Sequence, residues 1–184
     1  MDKFIFKKEG SLTQNEFQEL EKLLVPLFSF SYHFSQSYKQ HHQLYYSSKP
    51  IWQMLVWDNN QLVGSLSIVK RVIDQPMKLI IGGIGNLGVK QEFQNKGLAT
   101  KMLNKTNQFL EKNNFNFSLL FCVERLKEIY INAGYVQIDK PVTFINDKGE
   151  IENEEVALFF PISLDQKSIS LIKSKGLFIG QGSW

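Results

Sequence analysis

At 184 residues and a net charge of +3, the chain has the length of one domain with a substantial core, and no lysine/arginine block long enough for a nucleic-acid face. A single cysteine, Cys122, excludes an internal disulfide and argues against a cysteine-built zinc site, so no metal is expected. No apolar run approaches a membrane span and "MDKFIFKKEG" lacks a signal-peptide core, so the expectation is one domain over 1–184, cytoplasmic, working without membrane or nucleic acid.

The chain opens on a strand, "KFIFKK". A helix follows in "SLTQNEFQELEKLL", with Thr13 or Ser11 as cap and Phe17, Leu20, Leu23 and Leu24 on one face. Pro26 is expected to end or bend it. Residues 29–50 are polar and aromatic without a clean period, and read as a loop with at most one helical turn. His33, His41 and His42 fall there, without the helical spacing or carboxylate partner of a metal site. "IWQMLVWD" and "QLVGSLSIVKRVI" form a hairpin through Asp58–Asn59–Asn60, and Pro76 closes that unit. "MKLIIGGIGNLGV" is a glycine-rich strand, and the polar run Gln94–Gly97 precedes a helix. That helix carries Leu98, Met102, Thr106, Phe109 and Leu110 on one face. "FNFSLLF" alternates like a strand, and "ERLKEIYINAG" is a short helix closed by Gly134. "YVQI", "VTFI" and "EEVALFFPI" are strands, with a turn at "NDKGE". "SISLIKSKG" and "LFIGQGSW" have no firm pattern. The order β-α-loop-β-β-β-loop-α-β-α-β describes an α+β (α/β) fold, a mixed sheet with helices packed on it.

Two glycine signals compete. "GIGNLG", residues 83–88, fits the dinucleotide pattern G-x-G-x-x-G, but strand and loop follow it where a helix must open. The glycines read instead as a bulged strand whose backbone is open to close approach. The second signal is the run before the helix. A helix start exposes N–H groups and partial positive charge, Gly97 admits close approach and Lys96 adds a full charge, so the parts make an anion site.

The stretch Val89–Lys90–Gln91–Glu92–Phe93–Gln94–Asn95–Lys96–Gly97–Leu98–Ala99 resembles the central signature of the GNAT N-acetyltransferase superfamily. Gln94, Gly97 and Ala99 stand at its Arg/Gln, Gly and Gly/Ala positions, and Gln91 replaces a frequent proline. "IYINAGY", with Tyr130, Gly134 and Tyr135 in register, resembles the second signature. The resemblance implies a mostly antiparallel central sheet flanked by helices and splayed at the central strand. It implies acetyl-CoA as acyl donor, with its pyrophosphate on Gln94, Asn95, Lys96, Gly97, Leu98, Ala99 and Thr100, and its pantetheine arm along Leu87, Gly88 and Val89. Tyr130 takes the place of the general acid. "QMLVWDNNQLVGSLSIVKR", "RLKEIYINAGYVQIDKPVTF" and the final tryptophan are similar in layout to aminoglycoside 2′-N-acetyltransferases. That likeness implies an acceptor pocket at Gly85, Asn86 and Trp184, although glycine stands at 85 and 182 where that family tends to carry acids.

The expected activity is acetyl transfer to a primary amine of a small molecule by direct attack in a ternary complex. A backbone N–H near Val89 is the candidate for stabilising the oxyanion. A longer acyl donor, or a CoA-binding module without turnover, is the alternative, and a homodimer is compatible. Cys122 reads as a buried small residue.

Overall fold

A computed structural model describes residues 3–45, 47–74, 77–154 and 156–184. Pro76 lies outside them. Two compact units are formed. The first comprises residues up to Val69, Gly85–Met102 and Trp184; the second comprises Lys70–Ile84 and Leu103–Ser183. The fold is mixed α+β, with mostly antiparallel strand pairing and flanking helices.

In the first unit, strand β1 (Lys3–Lys8) pairs antiparallel with β2 (Trp52–Asp58), from Lys3↔Trp57 to Lys8↔Trp52. β2 pairs antiparallel with the start of β3 (Gln61–Ile73). Asn59 and Asn60 have φ of 45° and 67°, the left-handed pair that a tight hairpin turn needs and that asparagine tolerates. The order continues β1-β2-β3-β4, with β4 at Leu79–Val89. "GIGNLG" lies wholly inside β4 and opens no helix.

Helix α1 (Gln14–Phe28) begins on a capping box: Thr13 Oγ1 accepts from the Glu16 N–H at 3.2 Å, and the Glu16 carboxylate accepts from the Thr13 N–H at 2.8 Å. The helix runs through Pro26 rather than ending at it. So near the C-terminal end, proline costs a single backbone bond, and the residue after it earns its place by packing. A Cβ at Gly88 would stand 3.0 Å from both Leu24 and Leu27 of α1, so that glycine lets helix and strand approach.

The loop expected over 29–50 contains a full helix, α2 (Tyr32–His41). Ser31 caps it, and Phe34 and Tyr38, four apart, face the core formed by Leu20, Leu24, Leu44 and Leu55. Its many polar residues dilute the period, which is why the sequence reads as loop. The histidines therefore sit on or at the end of a helix, and His42 Nε2 lies 2.9 Å from the Glu21 carboxylate of α1.

Helix α3 (Leu98–Lys112) starts in the first unit and ends in the second. Leu98, Met102, Leu103, Thr106, Asn107 and Leu110 are buried, while Phe109, expected on that face, is only half-buried.

In the second unit the order is β4-β5-β9-β6, with β5 at Phe117–Cys122, β6 at Val136–Gln137 and β9 at Val156–Pro161. β5 is parallel to β4 and antiparallel to β9. The alternation expected in β5 is absent: Phe117, Ser118, Leu119 and Leu120 are all buried, because both faces of the strand are covered. A second sheet, β10-β7-β8, comprises β7 (Val142–Ile145), β8 (Ile151–Asn153) and β10 (Leu177–Gln181). β8, β10 and helix α5 (Gln166–Lys175, capped by Asp165) carry no firm sequence pattern. Helix α4 (Lys127–Asn132) follows a 3-10 turn at Glu124–Leu126. Among the described residues, no helix is long and apolar enough to cross a membrane.

Candidate functional site

In the first unit, β4 runs to Val89, where the Lys90 N–H donates to the Val63 carbonyl at 2.9 Å. A 3-10 turn over Gln91–Phe93 then leads through Gln94–Gly97 into α3. Gln94 Nε2 donates back to the Val89 carbonyl at 2.8 Å, so this side chain fastens the loop to the end of the strand. Asn95 and Gly97 have φ of 58° and 77°, which turn the chain sharply enough to start the helix directly behind the loop. A Cβ at Gly97 would meet nothing within 4 Å. The glycine is therefore required by backbone angle, not by crowding.

The first helical bond is from the Lys101 N–H to the Gly97 carbonyl, 3.1 Å. That leaves the N–H groups of Leu98, Ala99 and Thr100 without intrahelical partners, at the positive end of a helix whose first turn has no acid. Lys96 is exposed, its ammonium 5.7 Å from the Phe93 ring centre. Lys90 lies 3.4 Å from the Glu92 carboxylate. Glu92, the acid of this loop, is held below its usual range first by its own backbone N–H and, among the charges, by Lys90. The loop and helix start therefore bring N–H groups without intrahelical partners close in sequence to an exposed lysine.

The same unit gathers Gly85, Asn86, Ser67 and Trp184. A Cβ at Gly85 would lie 3.0 Å from Ser67 Oγ, a tight approach, and 3.4 Å from Trp184, in ordinary contact, so both residues bound the space at 85. Asn86 sits at φ 47° within the strand, and its Nδ2 donates to the Leu44 carbonyl at 2.8 Å, holding the segment after α2.

In the second unit, the parallel ladder of β4 and β5 runs from Ile81↔Phe117 to Ile84↔Leu120, and β5 continues to Cys122. Cys122 is half-exposed rather than buried. Tyr130, on α4, is half-buried and meets the Tyr135 ring edge-on at 6.3 Å. Its phenol is pushed up to about 12, first by burial and then by the neighbouring Cys122.

The tail is anchored. Arg71 Nη2 donates to the carbonyls of Gln181 and Gly182, the latter at 3.2 Å. The Gly182 N–H donates to the Ile145 carbonyl at 2.8 Å, and Ser183 Oγ donates to Glu154 at 2.9 Å. Arg71 and Glu154 were not legible as tail partners, since nothing local marks a contact across 111 and 29 positions. Among the described residues no group of three or more His, Cys, Asp or Glu is placed to hold a metal ion. A separate groove of about 350 Å³ between α3 and the end of β9, lined by Asn104, Asn107, Glu111 and Phe160 among others, contains none of the expected site residues.

A family model described as the acetyltransferase (GNAT) domain matches residues 11–138. No curated protein matches the sequence. Among solved structures, Escherichia coli ElaA is 15% identical with a TM-score of 0.60, over 86% of this chain and 97% of that one. An aminoglycoside acetyltransferase from an uncultured soil metagenomic sample, in complex with trehalose, is 20% identical with a TM-score of 0.57, over 72% and 86%. The NatC complex bound to Gag peptide and CoA matches at 15% identity and a TM-score of 0.55, over 86% and 98%. At these identities the structural likeness shows the fold.

Proposed function

We propose that this chain, which belongs to the GNAT acetyltransferase domain family, is an acetyltransferase that moves an acetyl group from acetyl-CoA to a primary amine of a small molecule. The observation that carries the reading is the loop Gln94–Gly97, held to Val89 and turned by Gly97 into the start of α3. A pyrophosphate suits that array of N–H groups and Lys96. Asn95, Leu98, Ala99 and Thr100 line it, and the pantetheine arm follows Leu87, Gly88 and Val89.

In the reaction, a neutral amine attacks the thioester carbonyl. The N–C bond forms, the carbonyl oxygen takes the negative charge and accepts from the Val89 N–H. The C–S bond then breaks, the amine proton passes to water, and we assign Tyr130 as the hydrogen-bond donor to the departing thiolate. The whole chain acts as one acyltransferase domain, in the cytoplasm.

For the acceptor we propose Gly85 and Trp184 as part of the pocket, with Asn86 shaping its edge. With glycine at 85 and 182, neither position supplies a carboxylate, which favours an apolar or singly charged amine over a polycation. The test is release of CoA thiol from acetyl-CoA with a panel of 2-phenylethylamine, glucosamine, spermidine and tobramycin. At least one amine is expected to accelerate release, with tobramycin among the poor acceptors. Efficient tobramycin acetylation would transfer the acceptor reading to aminoglycosides.

The Trp184→Ala protein, or one lacking Gly182–Trp184, is expected to show a raised acceptor KM and unchanged acetyl-CoA affinity. That pattern is loss of ground-state acceptor binding. Unchanged kinetics would return Trp184 to a purely structural role.

A further inference from the structure

Helix α4 has little to fix its own direction. It is six residues long, no side chain caps its start, and Ile129 and Ile131 are 43% and 39% exposed. What holds it follows it in sequence. The Tyr130 carbonyl accepts from the N–H groups of Ala133 and Tyr135, both at 3.0 Å. Gly134, at φ 87°, turns the chain so that the Tyr135 ring comes back edge-on to the Tyr130 ring. A Cβ at Gly134 would lie 3.2 Å from the Phe160 ring, itself 5.7 Å from the Tyr135 ring centre. Tyr135 thus holds Tyr130 by both backbone and ring.

Tyr135 is in turn fixed at its far end. Its hydroxyl donates to Asn107 Oδ1 at 3.1 Å, and Ser118 Oγ lies 2.7 Å from that oxygen and 2.9 Å from the Tyr135 hydroxyl. Tyr135, Ser118 and Asn107 are 3%, 0% and 5% exposed, and their oxygens form a closed buried triangle from which only Asn107 Nδ2 is left out. Packing alone would be served by phenylalanine, alanine and leucine at these places. Buried polar groups cost stability unless satisfied, and once satisfied they define one geometry. The three come from α3, β5 and the residue after Gly134, so the triangle ties the exit of α4 to a 15-residue helix and a buried strand.

We propose that Tyr135 is the positioning residue for Tyr130, anchored for that task by Asn107 and Ser118. The inference rests on the reading of Tyr130 as donor to the departing thiolate.

The test is a double-mutant cycle, with the fastest amine of the panel as acceptor and hydrolysis of acetyl-CoA alone as a second rate. Tyr135→Leu removes ring and hydroxyl. It should lower kcat about 100-fold, the scale of a misplaced reacting group, with acetyl-CoA affinity unchanged. Tyr135→Phe keeps the ring and leaves Ser118 and Asn107 bonded to each other. It should recover most of the rate, remaining roughly fivefold down, the worth of one buried hydrogen bond. In a Tyr130→Phe background neither change should alter kcat by more than about twofold, because the group being positioned is gone. Equal losses in both backgrounds would make Tyr135 a packing residue and overturn the proposal, as would a folded Tyr135→Leu protein at full rate. Should Tyr135→Leu fail to fold, the Phe variant in the two backgrounds decides alone by the same criterion. A Tyr130→Phe enzyme at full rate would remove the underlying reading first, before any Tyr135 variant is measured.

Discussion

The Gly97→Glu protein is expected to fold and to lose acetyl-CoA affinity by about 100-fold or more, which is about 2.8 kcal/mol. Two effects combine. Gly97 has φ 77°, where a side chain costs about 1–2 kcal/mol of local strain. The second effect is charge. A carboxylate about 4 Å from a phosphate oxygen repels it by roughly 4 kcal/mol at the effective dielectric of a protein surface. The second term is the larger, so Gly97→Ala separates them. A Cβ there has open space, and alanine should cost stability while retaining most of the binding. Calorimetry on protein shown to be folded by circular dichroism reads both. Unchanged affinity in the Glu variant would remove the loop as donor site. Equal loss in both variants would mean that loop shape, not charge, governs binding.

Tyr130→Phe is expected to lower kcat by about 100-fold with acetyl-CoA affinity unchanged. The size can be argued from the phenol itself. With its pKa pushed up to about 12, Tyr130 stays protonated throughout any working range. Handing its proton fully to a thiolate of ordinary basicity is then about 5 kcal/mol uphill. The useful step is a hydrogen bond to the developing thiolate, with the proton following later. A bond to a charged group is worth about 1.5–3 kcal/mol, which converts to roughly 10- to 150-fold in rate. The sign of the pH dependence follows. The protonated form is the active one and is lost only as pH rises through the folded-state pKa, so Tyr130 should cause no fall in kcat below about pH 10. A Phe variant at wild-type rate, or a wild-type alkaline limb near neutrality that the Phe change abolishes, would contradict this.

The glycine loop and the helix behind it were legible in the sequence because their determinants are local. Gly97, the helix face behind it and the strand before it lie within one stretch, and Thr13, one of two cap candidates, announces α1. The short helix and its Gly134 are equally local. What stayed hidden depends on distant partners. α2 reads as loop because Phe34 and Tyr38 are the few apolar marks in a polar run, and only the core they meet reveals the helix. Residues 177–183 show no pattern, since Arg71, Ile145 and Glu154 fix them from far along the chain. Asn107 appears as an ordinary polar residue on an amphipathic helix until Ser118 and Tyr135 close around it. Gln94 stands at a signature position in the sequence, and its amide fastens the loop to Val89, a duty that spacing does not reveal.

The most direct measurement of the central claim is CoA release from acetyl-CoA across the amine panel, with the amine product identified by mass. At least one primary amine is expected to accelerate release and gain one acetyl group per CoA freed, and the Tyr130→Phe protein is expected to bind acetyl-CoA normally while releasing CoA far more slowly. Tight acetyl-CoA binding with no amine-dependent release would contradict it, and would mark the chain as a CoA-binding module that keeps the fold without the transfer.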